Sequence, residues 1–191
     1  MKKLSTGKIV GLVILGLVIL LGVWGIGCYN GLVSLKETVD SQYSNIDVQL
    51  QRRADLIPNI VQTVKGYTSH ESQILNELSD SRAKLSGAST ISEKANANAE
   101  ISSSLSRLLV VVENYPNLKA DTQFQTLSDN LEGTENRIAV ARKDYNEAVQ
   151  SYNQKIKTFP TVIIASMLGF QSAERFEASE KANEVPEVNF N

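Results

Sequence analysis

The sequence predicts an all-α protein: an antiparallel, up-down helical bundle of long helices following one N-terminal transmembrane helix. Three observations lead there. Ile9 to Cys28 carries no charge over about 20 residues, apolar residues recur from Leu32 onward in steps of three and four, and no stretch of useful length alternates with period two. The last of these argues against a sheet.

The N-terminal stretch comes first. About 20 apolar residues at a rise of 1.5 Å match a hydrocarbon core of roughly 30 Å. Backbone polar groups in lipid must pair internally, which forces a helix despite the many glycines. Lys2, Lys3 and Lys8 precede the span while Glu37 and Asp40 follow it, placing the N-terminus in the cytoplasm and the rest outside the cytoplasmic (inner) membrane. Trp24 and Tyr29 stand where an aromatic belt belongs. A cleaved signal peptide would need small residues in an Ala-x-Ala-like pattern after a shorter apolar core, and Gly25-Ile26-Gly27 matches poorly. A lipoprotein is the stronger rival, because Gly27-Cys28 would end a lipobox, although Gly25 stands where leucine is usual. A permanent anchor is expected, with lipidation at Cys28 as the alternative. Gly7-x-x-x-Gly11 and Gly27-x-x-x-Gly31 have the spacing that lets membrane helices approach, a weak signal in any span.

Beyond the span, one stripe runs Leu32, Val39, Tyr43, Ile46, Leu50, Ile57, Ile60, Val64, Tyr67, Ile74, Leu78 and Leu85. Heptad spacing of this kind marks a helix that presents one face to other helices, as in a coiled coil. It stays in phase across Pro58, so a kink between Asp55 and Asn59 is expected and not a chain reversal. Ser86 to Thr90 reads as a loop, and Ser92-Glu93 as the start of a helix striped by Ile101, Leu105, Leu108, Val112 and Tyr115. Asn114 to Asn117 ends it. Asp121 is the expected N-cap of a third long helix carrying Phe124, Leu131, Ile138, Tyr145, Tyr152 and Phe159 at seven-residue spacing. Pro160 stops or kinks it, and Thr161 to Leu168 forms a short apolar helix. The chain thus divides into a basic N-terminus (1–8), a transmembrane helix (9–28), a helical bundle (29–176) and a polar, flexible tail (177–191).

Composition narrows the chemistry. Of 19 lysines and arginines, three precede the span, which leaves 16 against 21 acidic residues beyond it. That balance disfavours nucleic acid, whose phosphates call for clustered cations. A lone cysteine permits no internal disulfide. His70 is the only histidine, whereas catalytic zinc needs three ligands and a serine triad needs a base beside a nucleophile elbow. His70-Glu71 reads as a solvated pair on a helix. No catalytic, cofactor-binding or metal-binding residue is assigned, and no enzyme is expected.

The segment Gln51 to Asn59 is the most unusual. Arg53 falls on the apolar stripe between Leu50 and Ile57, where a charge destabilises unless it is paired and its stem packed. A pairing carboxylate must come from another helix, because Glu71 lies too far along the same one. Arg52, Arg53, Asp55, Pro58, Gly66, His70 and Glu71 are the candidate interaction or register residues. Glycine inside a helix costs up to about 1 kcal/mol against alanine, so Gly66 suggests close approach of another helix at Gly133. Tyr145 and Tyr152 are expected in the core with their hydroxyls reaching water or carbonyls.

These residues resemble the LemA family. The resemblance rests on Tyr29-Asn30-x-Leu32-Val33, Ile46-Asp47-Val48-Gln49-Leu50-x-Arg52-Arg53-x-Asp55-Leu56-Ile57-Pro58-Asn59, Val61-x-x-Val64-Lys65-Gly66-Tyr67 and His70-Glu71. It continues through Glu113-x-Tyr115-Pro116, Leu131-x-Gly133-x-Glu135-x-Arg137-Ile138, Ala141-Arg142-x-x-Tyr145-Asn146, Tyr152-Asn153 and Phe159-Pro160. The resemblance implies a bacterial single-pass membrane protein with an antiparallel bundle, and relatives of two kinds: lipoproteins with a cysteine before Tyr-Asn, and proteins linked to membrane-compartment biogenesis or to membrane proteases. It supplies no catalytic residues. The reading is therefore a non-enzymatic scaffold that self-associates or organises partners at the membrane's outer face. The alternatives are an adaptor for a membrane protease or envelope-stress system and an oligomeric membrane-remodelling protein. Expected partners are the lipid bilayer, further copies of the chain and a membrane protein. The first stripe spans about 80 Å against roughly 20 and 50 Å for the others. Membrane-proximal surface at Leu32, Val39 and Tyr43 is thus expected to stay apolar and serve as the oligomer contact, the alternative being that the short helix from Thr161 to Leu168 folds back and covers it within one monomer.

Overall fold

The structure, a computed structural model, describes residues 6–68 and 71–177. Among them are six helices and no strand: α1 (Thr6–Lys65), α2 (Ser72–Gly87), α3 (Ile91–Val112), α4 (Pro116–Lys119), α5 (Thr122–Lys157) and α6 (Thr161–Met167). α3 and α5 begin where an apolar stripe meets a capping side chain. Thr90 and Glu93 close a capping box on α3, starting it just before the expected Ser92. Asp121 caps α5 by accepting from the Phe124 amide at 2.8 Å. Pro116 opens α4, where its missing N–H removes no helix bond.

Packing divides the chain into two units, one formed by residues up to Asp40 with Glu147–Ala173 and the other by Ser41–Asn146 with residues from Glu174 on. In the second unit the side-chain pairs reveal the directions. Arg82 of α2 reaches Ala54 of α1, Lys84 and Arg107 pair α2 with α3 through Glu100 and Glu77, and Ser102 of α3 meets Glu135 of α5. Arg53 and Tyr43 of α1 meet Glu135 and Tyr145 of α5. Pairs that advance on one helix as they retreat on the next describe an up-down bundle of four helices, with Ile46, Leu50, Ile57, Leu78, Ile101, Leu108, Leu131 and Ile138 in its core.

In the first unit, the apolar N-terminal stretch of α1 is long and apolar enough to cross a membrane, and none of it is buried inside the chain. The expected short apolar helix is α6, after Pro160. Leu32 and Val39 are buried here, as are Val149, Tyr152, Thr161 and Ala165.

Several expectations need correction. The stripe from Leu32 to Leu85 is not one helix: α1 runs through Pro58 without reversing, and the chain turns back after Lys65 into α2. The Gly66 amide donates to both Gln62 and Thr63 carbonyls at 3.2 Å, and Thr68 donates back to Val64, so the last turn tightens and closes. Glycine suits this turn because a Cβ at 66 would lie 3.3 Å from the Thr63 carbonyl oxygen. Gly133 has nothing within 4 Å of such a position, so no close helix approach joins the two glycines. Phe159 lies beyond α5, exposed and out of the core, and Tyr67 is also exposed. Burial of Leu32 and Val39, with Tyr43 half-buried against Tyr145, closes the apolar surface expected as an oligomer contact. His70 and the tail from residue 178 lie outside the described residues.

Candidate interaction site

The nine residues from Gln51 to Asn59 occupy two and a half turns of α1, so they face two ways. Inward, Arg53 is 2% exposed. Its Nη1 donates to Asn98 Oδ1 at 2.6 Å and Ser102 Oγ at 3.0 Å, and forms an ion pair with Glu135. One nitrogen with two protons serves three acceptors, so a proton is shared; the Ser102 hydroxyl lies 3.2 Å from the same carboxylate. Arg53 Nε is buried without a hydrogen-bond partner among the described residues. Burial pulls the guanidinium's pKa down, and the charge and hydrogen bond of Glu135 oppose it.

The partner is thus Glu135 of α5 and not Glu71, which caps no amide of α2 and instead accepts from the Tyr115 hydroxyl at 3.0 Å. Asn98, Ser102 and Glu135 were not singled out by sequence reasoning as partners. A signal existed for Asn98: it continues the stripe of Ile101, Leu105, Leu108 and Val112 one step toward the N-terminus. Glu135 sits beside the α5 stripe, next to buried Thr134, where sequence does not distinguish an inward from an outward carboxylate.

Pro58 creates a second polar demand. It has no N–H to offer the Ala54 carbonyl one turn back. Arg82 of α2 supplies the missing donor, its Nε reaching the Ala54 oxygen at 2.8 Å. The proline therefore joins α1 to α2.

Outward, Arg52, Asp55, Leu56 and Asn59 line a groove of about 780 Å³ with Val48, and Leu85, Ser86 and Ala88 form the opposite wall. Asp47 is held there by Lys94 at 2.7 Å, whose ammonium also lies 5.0 Å from the Tyr43 ring. Burial lowers the Lys94 pKa, but the bonds to Asp47 and Tyr43 outweigh it and leave the pKa raised. Asp55 accepts from Gln51 at 2.8 Å, while Arg52 is exposed and makes no ion pair among the described residues. Among the described residues, no three His, Cys, Asp or Glu side chains gather to hold a metal ion. What the groove offers is recognition: an unpaired guanidinium, polar side chains and exposed Val48.

The remaining motif residues hold the chain itself. Tyr67 donates to Asp121 at 2.7 Å, tying the turn after α1 to the start of α5. The Tyr-Asn pairs one heptad apart clamp the segment after Gly169. In the first unit Tyr152 donates to the Gln171 carbonyl, and the Asn153 side chain makes two bonds with Ala173. In the second, Tyr145 donates to the Glu174 carbonyl and Asn146 makes two bonds with Phe176, whose ring is stacked under Arg142. Cys28 is half-buried on α1 and unpaired.

Comparison with known proteins agrees with the motifs. The sequence model of the LemA family matches residues 42–190, which include both faces of the site. Magnetosome protein MamQ 2 of Paramagnetospirillum magneticum is 29% identical over 184 residues, covering 83% of this chain and 67% of that one. Magnetosome protein MamQ of Magnetospirillum gryphiswaldense is 26% identical with the same coverage. Protein LemA of Metamycoplasma hominis is 27% identical over 156 residues, covering 81% of this chain and 71% of that one.

Proposed function

Because the chain belongs to the LemA family, we propose that it is a non-enzymatic, membrane-anchored scaffold whose groove binds partner proteins, further copies of itself among them. The observation that carries this reading is the division of labour within Gln51 to Asn59. Its inward residues make a buried polar layer that sets helix register, and its outward residues line an open groove with a cation, Arg52, that forms no ion pair among the described residues. A groove lined by polar and apolar side chains held on helices suits binding. The relatives named as magnetosome proteins support a part in organising a bacterial compartment. The anchor is α1, and Lys2, Lys3 and Lys8 support a cytoplasmic N-terminus with the bundle outside the cytoplasmic membrane.

A photo-cross-linking residue at Val48, exposed in the groove, tests the reading against one at Val110, exposed on α3. Val48 should give a discrete adduct in cells, to a second copy or another protein. Arg52→Glu should remove it, and Val110 should give none. No adduct at Val48, or one that persists unchanged in Arg52→Glu, rejects the groove as the binding face.

A further inference from the structure

No residue between Lys157 and Glu174 carries a charge. Within this segment the outer side of α6 is apolar apart from Ser166. Thr161 and Ala165 face inward and are buried, while Val162, Ile163 and Met167 face outward with Phe159 and Leu168 flanking them. Phe159 is 75% exposed and Met167 77%. A helix against water is polar on its outer side, and a monomer rarely exposes a contiguous group of large apolar side chains.

Its position explains the composition. Ile164 Cδ1 lies 3.9 Å from where a Cβ on Gly25 would stand. Gly25 lies three residues before Cys28, about 5 Å along α1, in a stretch that meets no charge until Lys36. Four residues on, Tyr29 packs edge-to-face on Phe170, with ring centroids 6.1 Å apart. The outward face of α6 therefore lies at a level where α1 is still bare of charge. Lys155 and Lys157 end α5 immediately before it, both exposed.

We propose that Phe159 to Leu168 is a second membrane-inserting element, a wedge whose outward side chains lie among the acyl chains of the leaflet beside α1. Lys155 and Lys157 lie at its edge, where ammonium groups meet lipid phosphates. The protein then touches the bilayer through two elements of the first unit, the span and the wedge, and the wedge restrains rotation and tilt of the span. This rests on α1 being a membrane span, not on the groove's role.

The test uses the full-length chain, one copy per nanodisc of phosphatidylcholine and phosphatidylglycerol, in a Cys28→Ser background. An environment-sensitive fluorophore is attached in turn to Leu20→Cys, Ile163→Cys, Met167→Cys and Val110→Cys. Labels at 163 and 167 should emit blue-shifted, be quenched by acyl-chain spin labels as at 20, and be several-fold less sensitive to aqueous iodide than at 110. Iodide quenching at 163 and 167 equal to that at 110, with 20 still protected, overturns the wedge and spares the anchor. Protection that develops only when two copies share a disc also overturns it, because the occupant is then a second chain. A label at 20 open to iodide overturns the anchor and the wedge together.

Discussion

At position 53 a guanidinium replaces the aliphatic residue that the stripe calls for, and three groups from two other helices receive it. Removing it strands the buried Asn98 oxygen, whereas Ser102 and Glu135, only partly buried, can turn to water. Arg53→Ala should therefore cost about 1–3 kcal/mol of stability. Arg53→Leu refills the space but still strands Asn98, so stability should return to near the parent only in Arg53→Leu with Asn98→Leu. Thermal melts of the three variants decide this, and an Arg53→Ala melt matching the parent would contradict it. Pro58 and Arg82 form a second coupled pair. Arg82→Ala should cost about 1 kcal/mol by leaving the Ala54 carbonyl without a donor. In a Pro58→Ala background residue 58 regains an N–H for that carbonyl, and the loss should shrink. A double-mutant cycle with zero coupling would dissociate the two residues.

Among the elements, α3 and α5 have carboxylates at their starts. The Ser89 and then Thr90 amides hold the Glu93 carboxyl below its ordinary range, and the Tyr67 hydroxyl and then the Phe124 amide do the same for Asp121. A folded-state pKa below the unfolded one adds stability above the unfolded value, which is lost as pH falls through the folded value. The bundle should thus weaken as pH drops below the ordinary carboxylate range, with α3 and α5 losing their caps. Glu93→Gln should melt lower at neutral pH, and its deficit should shrink on acidification. A deficit independent of pH would show that the Glu93 charge contributes nothing.

For the whole molecule, the decisive question is which side of the membrane the bundle occupies. Ser89 lies exposed in the connection between α2 and α3, far along the chain from α1's apolar stretch. In a Cys28→Ser background, Ser89→Cys should react in intact spheroplasts with a maleimide that cannot cross the membrane. Labelling only after lysis would reverse the orientation argued from Lys2, Lys3 and Lys8, and the scaffold would then act on the cytoplasmic face.

Periodicity and hydropathy are local, so the sequence alone determined the helical class, the apolar N-terminal helix, the Asp121 cap and most core positions, from Ile46 to Tyr152. Direction and pairing are not local. Tyr67 and Ile74 stand seven residues apart, about two helical turns, so the stripe keeps phase whether the chain continues or reverses between them. Only the tertiary structure placed the reversal after Lys65. It also decided that Glu135 receives Arg53 and that Arg82 reaches the Ala54 carbonyl left free by Pro58, because partners separated by 82 and 28 positions in the chain are chosen by helix register in space. The same holds for Leu32 and Phe159. Both carry the heptad signal, yet one is buried by packing within its unit while the other lies past the last turn of α5, exposed outside the packed core.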